Sequence, residues 1–245
     1  MNKGMNILYQ VHNNLYVNLT NRCPCACTFC LRQTMDSVAA DDATLWLEHE
    51  PEVEEVIAEF DKFDMSVYDE VVFCGYGEPT ERLDVLLSVA KYVKEHFHKP
   101  IRINTNGLAN LIWEKDVTPE LKGLIDTVSI SLNTPNAQRY HELVRSRFGE
   151  KSFDAMLAFA KEATKYVPHV VLTTVETTLT KEELAYCEHD VKILHYFILE
   201  EMAKNVGKTV EEYKKQVNDS MVNHIANDLL MKKIVDFLHA NNEIK

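Results

Sequence analysis

The sequence predicts an α/β fold: a partial, open (β/α) barrel over residues 1–178, followed by an α-helical C-terminal extension over 179–245. Three observations predict it. Strand-like and helix-like segments alternate up to about Glu176, which argues for parallel pairing through right-handed crossovers. Polar or Gly-rich turns, CPCACTFC, CGYGEP, NTNG and SLN, each follow a strand. Beyond Thr178 strand signals stop, and no clear sixth strand follows.

Taken in order, NLYVNLT (14–20) reads as the first strand and leads into the cysteine loop. The acidic stretch from about Pro51 to Phe63 reads as a helix. DEVVFCGYGEP (69–79) reads as a buried strand running into a Gly-rich turn. Leu83, Leu86, Leu87, Ala90, Val93 and Phe97 recur at helical spacing. IRINTNG (101–107) is a strand plus turn. TPELKGL opens a short helix, with Thr118 as N-cap and Pro119 at the first helical position. DTVSISLN (126–133) is a strand, TPNAQRYHELV repeats the Thr-Pro helix start, 152–167 is a helix, and HVVLTTVE (169–176) is the fifth strand. In parallel sheets and barrels, ligands bind at the carboxyl ends of strands. Four motifs should therefore converge on one mouth.

The tail has a different character. Leu184, Cys187, Val191, Leu194, Ile198 and Met202 follow helical spacing. Thr180 with Glu183, and Thr209 with Glu212, fit capping boxes. Tyr186 and Asp190 share the Tyr-x-x-x-Asp spacing of the third motif of DnaQ-like exonucleases. No Asp-x-Glu strand precedes them to complete a metal site, so amphipathic packing helices are the preferred reading.

The 245 residues suit one large domain, or one domain with a small appendage. Net charge is −12, from 26 Lys and Arg against 38 Asp and Glu. That balance disfavours a nucleic-acid backbone or an anionic membrane as main partner. No apolar run reaches membrane-spanning length, and the N-terminus lacks the apolar core of a secretory signal. The expected location is the cytoplasm, where clustered thiols are more often metal ligands or redox groups than disulfides.

Four of the six cysteines fall between Cys23 and Cys30. Cys23, Cys27 and Cys30 form C-x-x-x-C-x-x-C, and Cys25 is additional. Structural zinc usually takes its ligands from two separated pairs; here Cys74 and Cys187 are isolated, and the ten histidines show no metal spacing. A [4Fe–4S] cluster is held by Cys thiolates, normally four. With only three, one iron keeps an open position. The residues leave a rival open: a non-enzymatic iron–sulfur or zinc protein using Cys25 as fourth ligand. Otherwise Cys25 is a passenger in its loop and Cys74 a buried structural thiol. Gly75 and Gly77 allow close approach of backbone to a ligand near Glu78. Arg145 and Arg147 are candidates for gripping an anionic substrate, or ordinary surface arginines.

C-x-x-x-C-x-x-C after a first strand is the signature of the radical S-adenosylmethionine (SAM) superfamily. With VVFCGYGEPT, INTNGLANL, GLIDTVSISLN and RFGEK in sequence, the chain resembles the TatD-associated radical SAM proteins over roughly residues 5–176. The resemblance implies a barrel of radical SAM type, with Cys23, Cys27 and Cys30 holding a [4Fe–4S] cluster. It implies that Phe29 lies against the adenine of SAM. Tyr76, Gly77 and Glu78 match the "GGE" element that binds the amino group of SAM's methionine moiety, with Tyr76 replacing the first Gly. Asn104, Asn106, Ser131 and Asn133 become candidates for contacts to the methionine moiety or ribose. The implied chemistry is reductive cleavage of SAM to methionine and a 5′-deoxyadenosyl radical, which takes hydrogen from an unknown substrate. A one-electron donor such as flavodoxin or ferredoxin is the implied partner, with no membrane and no nucleic acid indicated.

Overall fold

A computed structural model describes residues 4–34, 44–134, 137–175 and 178. The chain divides into two compact units, one of Met1–Leu132 with Gln138–Thr173, the other of Asn133–Ala137 with Thr174–Lys245. The tail features at Thr180, Glu183, Tyr186, Cys187, Asp190, Thr209 and Glu212 lie outside the described residues.

The first unit is built on one six-stranded sheet in chain order. Its strands are β1 (Leu8–Val11), β2 (Asn14–Val17), β3 (Glu70–Phe73), β4 (Ile101–Thr105), β5 (Thr127–Ser131) and β6 (His169–Thr173). From β2 to β6 every neighbouring pair is parallel. These are the five strands expected from the sequence, each shorter than expected because the backbone leaves the sheet early to form its turn. The sixth strand comes from an unexpected place. β1 runs antiparallel to β2, pairing Leu8 with Val17 and Val11 with Asn14. A tight turn joins them, with His12 at φ 52°. LYQV is too short and too polar to stand out alone; the hairpin is stabilised by pairing, not by propensity.

The parallel strands have two unlike faces. Leu15, Val17, Val71, Phe73, Ile101, Ile103, Val128 and Ile130 alternate along one face and are at most 1 % exposed. On this side Ile130 of β5 and Met156 of α6 (Lys151–Ala163) both crowd Gly107. The other face carries Asn14, Tyr16, Glu70, Arg102, Asn104, Ser129 and Ser131, all half-buried. There Arg102 Nε pairs with Glu70 at 2.9 Å, and its Nη1 donates to Asn104 Oδ1 at 3.2 Å. A sheet with one dry and one polar face suits an open barrel whose lumen holds polar material.

Among the described residues, the other helices that connect the strands are α1 (Leu31–Thr34), α2 (Val53–Phe60), α3 (Leu83–His96), α4 (Ala109–Ile112) and α5 (Ala137–Val144). α1 and α4 were not expected; each is a single turn, too short to show periodicity. On α3 the buried stripe is Leu83, Val85, Leu86, Val89, Ala90 and Val93. Leu87 and Phe97, expected in it, are only half-buried. The segment Thr118–Leu121 is a single 3-10 turn rather than an α-helix. Thr118 is its first residue and Val117 its N-cap; the Thr118 backbone N–H and hydroxyl donate to Asp116 Oδ1 at 3.0 and 2.7 Å. α6 ends at Ala163, four residues before the expected end.

Among the described residues, no helix is long and apolar enough to cross a membrane.

Candidate functional site

The cysteine loop leaves the carboxyl end of β2. Its middle is extended: Cys25 bridges antiparallel to Ser146, and Arg147 N–H donates to the Pro24 carbonyl at 2.8 Å. Ala26 N–H donates to Val144 O at 3.1 Å, and Thr28 N–H to Leu143 O at 2.8 Å. The loop is thus laid against the carboxyl end of α5. In extended backbone, residues two apart face the same side. Cys23, Cys25 and Cys27 therefore project together, while Ala26 and Thr28 are exposed. A turn with Cys30 N–H on Cys27 O, 3.2 Å, returns the chain toward them. All four thiols are free of disulfides and half-buried.

Their electrostatics are uneven. Cys25 shares its hydrogen with the sulfurs of both Cys23 and Cys27. That sharing holds the Cys23 and Cys27 thiols below the ordinary range, although burial opposes it. Cys25 itself is pushed up by the same two contacts and by burial. Burial also pushes the Cys30 thiol up. Cys23 and Cys27 are therefore the readier thiolates, and thiolate is the form that binds metal.

Opposite the loop lies the turn after β3. Glu78 is only 4 % exposed. Its Oε1 accepts from the Thr80 hydroxyl at 2.7 Å, the Thr80 backbone at 3.2 Å and the Thr105 hydroxyl at 2.6 Å. Its Oε2 accepts from Asn106 N–H at 2.8 Å. Burial pushes this carboxyl above its ordinary range, and the four donors pull the other way. The turn is pressed against the segment after β2: Glu78 N–H donates to Arg22 O at 2.8 Å. A Cβ on Gly77 would stand 2.2 Å from Thr20 O, and one on Gly75 2.1 Å from Asn18 Oδ1. Only glycine permits this approach. Tyr76, between them, is buried, edge-on to Trp46 with centroids 5.3 Å apart.

Asn106 joins the two regions. Besides donating its backbone to Glu78, it points Nδ2 at Cys25 Sγ, 3.6 Å, and at Cys23 Sγ, 4.0 Å. Its Oδ1 accepts from Leu108 N–H at 2.9 Å, closing the NTNG turn. Asn104 faces the polar side of the sheet, toward Arg102 and Cys74. Cys74 is half-buried there rather than sealed in the core. Ser131 ends β5 on the same face. Phe29 is half-buried beside Cys30. Asn133 belongs to the second unit, with φ 63°; there its carbonyl accepts from the Thr178 hydroxyl at 2.6 Å and its Oδ1 from Val175 N–H at 3.4 Å. Of the site candidates in the first unit, Cys23, Cys27, Glu78 and Asn106 lie together.

Sequence reading missed several contributors. Thr80 and Thr105 saturate Glu78, and the only signal was their place two residues after Glu78 and inside NTNG. Glu50 was missed altogether. It accepts from the Thr20 hydroxyl, from Arg22 Nε at 2.8 Å and from Arg82 at 3.4 Å. Burial raises its carboxyl, but donation from Arg22 and Thr20 wins and holds it below the ordinary range. Arg22 and Arg147 also reach buried Glu81, at 3.8 and 3.4 Å. Arg147 is thereby tied to a protein carboxylate, while exposed Arg145 donates Nε to Glu142 O at 3.3 Å on its own helix.

Among the described residues, no three His, Cys, Asp or Glu side chains are grouped to hold a single metal ion. A cluster makes a different demand, because each thiolate sits on its own iron and the sulfurs stand apart around it. Soft thiols on one half-buried loop are the donor type such a cluster takes.

The Radical SAM superfamily model matches residues 17–191. Two solved structures similar to the chain are a radical SAM methyltransferase from Sphaerobacter thermophilus and TYW1 with a lysine–pyruvate adduct bound. The first shares 16 % identity and a TM-score of 0.48, covering 76 % of this chain and 55 % of that one. The second shares 14 % identity and a TM-score of 0.45, covering 67 % and 56 %. The chain spans little more than half the length of either. No curated protein matches the sequence. Superfamily members generally use a [4Fe–4S] cluster and SAM, and need a reductant and a substrate. With the family model covering the thiol loop, the Glu78 turn and the strands from β3 to β6, this chain belongs to the radical SAM superfamily.

Proposed function

We propose that the chain is a radical SAM enzyme in which Cys23, Cys27 and Cys30 hold a [4Fe–4S] cluster through three irons. The observation that carries this reading is the loop itself: unpaired thiols in C-x-x-x-C-x-x-C, facing one side beside the Glu78 turn. When bound, the reduced cluster supplies an electron that cleaves SAM to methionine and a 5′-deoxyadenosyl radical, which takes a hydrogen atom from the substrate.

The protein's own part is to hold and orient. Backbone carbonyls of Tyr76, Gly77 and Glu78 would receive the ammonium of SAM, since the Glu78 carboxylate already accepts four protein hydrogen bonds. Glu78 then acts as the brace that keeps the β3 and β4 turns together. Phe29 would cover the adenine. Asn104, Asn106 and Ser131 would meet the methionine moiety or ribose, with Asn106 the best placed because its amide also reaches the thiols. Electrons would come from a one-electron donor of the flavodoxin or ferredoxin kind in the cytoplasm. The substrate would meet the polar face of the sheet.

Anaerobic reconstitution with iron and sulfide, followed by dithionite reduction, tests the reading. Three results are expected: about four irons per chain, an electron paramagnetic resonance signal that shifts when SAM is added, and release of 5′-deoxyadenosine. Absence of both the shift and the nucleoside sinks the proposal.

A further inference from the structure

Tyr140 is the feature the proposed chemistry has not used. Its side chain is 1 % exposed, and its hydroxyl has no hydrogen-bond partner among the described residues. The ring is held edge-on by Phe153, centroids 5.3 Å apart, so the hydroxyl cannot swing away freely. Phenylalanine would fill the same space without burying an unpaired polar atom, which is unfavourable. A buried hydroxyl with no protein partner points to one supplied by something else.

Its position says what. Tyr140 lies one turn before Val144 on α5, and the carboxyl end of α5 is the surface on which the thiol loop is laid, through Leu143, Val144 and Ser146. The Tyr140 hydroxyl is near enough to feel the charges of Cys25, Cys27, Glu78 and Cys23; burial first, and those charges second, push it up. It therefore stays a neutral donor at all ordinary pH. Asn106 Nδ2 is already directed at Cys23 and Cys25. Tyr140 is a second donor, on the helix whose carboxyl end carries the loop, and unlike Asn106 it is uncommitted.

We propose that Tyr140 is a positioning residue that donates its hydroxyl hydrogen to a sulfide of the cluster, raising the cluster's reduction potential. This rests on the cluster reading above. A hydrogen bond to sulfur stabilises the reduced, more negative state, and such bonds are among the determinants of iron–sulfur potentials. The acceptor is a sulfur and not SAM, so the effect exists before SAM binds.

The experiment compares reconstituted wild type with Tyr140→Phe, both without SAM. Iron and sulfide content and the reduced-cluster resonance are measured first, and they test the cluster reading separately. A redox titration then reads the inference. At a fixed poise the ratio of reduced to oxidised cluster in Tyr140→Phe should fall severalfold; a tenfold fall corresponds to about 59 mV for a one-electron couple. Electron–nuclear double resonance of the reduced wild type should show a proton coupled to the cluster that exchanges in D2O and is missing in Tyr140→Phe. A packing role would move neither reading. If both proteins load iron equally and show the same potential and exchangeable protons, the inference is wrong while the cluster reading stands. The inference fails in the same way if only SAM affinity changes. A wild type that takes up no iron overturns both.

Discussion

The cysteine loop and the Glu78 turn face each other and solve opposite problems. At Glu78 the protein provides every partner: four donors from Thr80, Thr105 and Asn106 surround a buried carboxylate. At the loop the thiols meet each other, nearby backbone N–H groups and one side-chain amide. The first region is finished by folding, whereas the second would be finished by the cluster proposed above. A substitution therefore registers differently in each. Changes at Glu78 should alter the chain itself, and changes at the cysteines should alter its load.

The largest expected effect is at the loop. Cys27→Ala should abolish iron uptake on reconstitution, while urea unfolding of the iron-free chain shifts by less than about 1 kcal/mol, since a half-buried thiol removes little packing. Iron retained at the wild-type level would remove Cys27 from the ligand set.

Next in size is the converse at the turn. Glu78→Ala strands the Thr105 hydroxyl and the Asn106 N–H, each buried donor at about 1–3 kcal/mol. The iron-free chain should lose roughly 2–4 kcal/mol in urea unfolding. An iron-free variant as stable as wild type would break the contrast, and would make Glu78 a ligand-binding group rather than a brace.

Smaller still is Glu50. Its carboxyl is held below the ordinary range in the folded chain. The stability it contributes is therefore present above the unfolded value, about 4.3 for Glu, and is lost as pH falls through the folded value. Glu50→Gln should be less stable than wild type by under about 1 kcal/mol at pH 7. That gap should close on acidification below about pH 4. A gap that widens instead would mean the sign is wrong.

The smallest expected effect tests the loop's fourth thiol. Cys25→Ser should keep its iron and its response to SAM, because Cys23, Cys27 and Cys30 alone make up the C-x-x-x-C-x-x-C spacing. Loss of iron in this variant would restore the four-cysteine alternative.

Elements differed in how far the sequence revealed them. The five parallel strands were readable because each is a run of aliphatic or β-branched residues bounded by turn residues. β1 was not readable: LYQV acquires its state from pairing with NLYV across a tight turn. Thr118 looked like a cap in a Thr-Pro pair, but it is the first residue of the turn, with Val117 at the N-cap and both its hydroxyl and its N–H donated to Asp116. At the site, C-x-x-x-C-x-x-C and GYGEP were visible as strings. Tyr140 was not, since a tyrosine at helical spacing looks like core until its hydroxyl is traced and found unpaired.

Local chemistry therefore set the alternation of strands and helices, the turn positions and the thiol spacing, because each depends on residues only a few places apart. Contacts between distant segments decided the rest. Cys25 lies against Ser146, Asn106 against thiols up to 83 residues away, and Glu78 under Thr105, 27 residues on. No local pattern encodes which buried polar group will find a partner; that is settled only when the sheet brings the turns together.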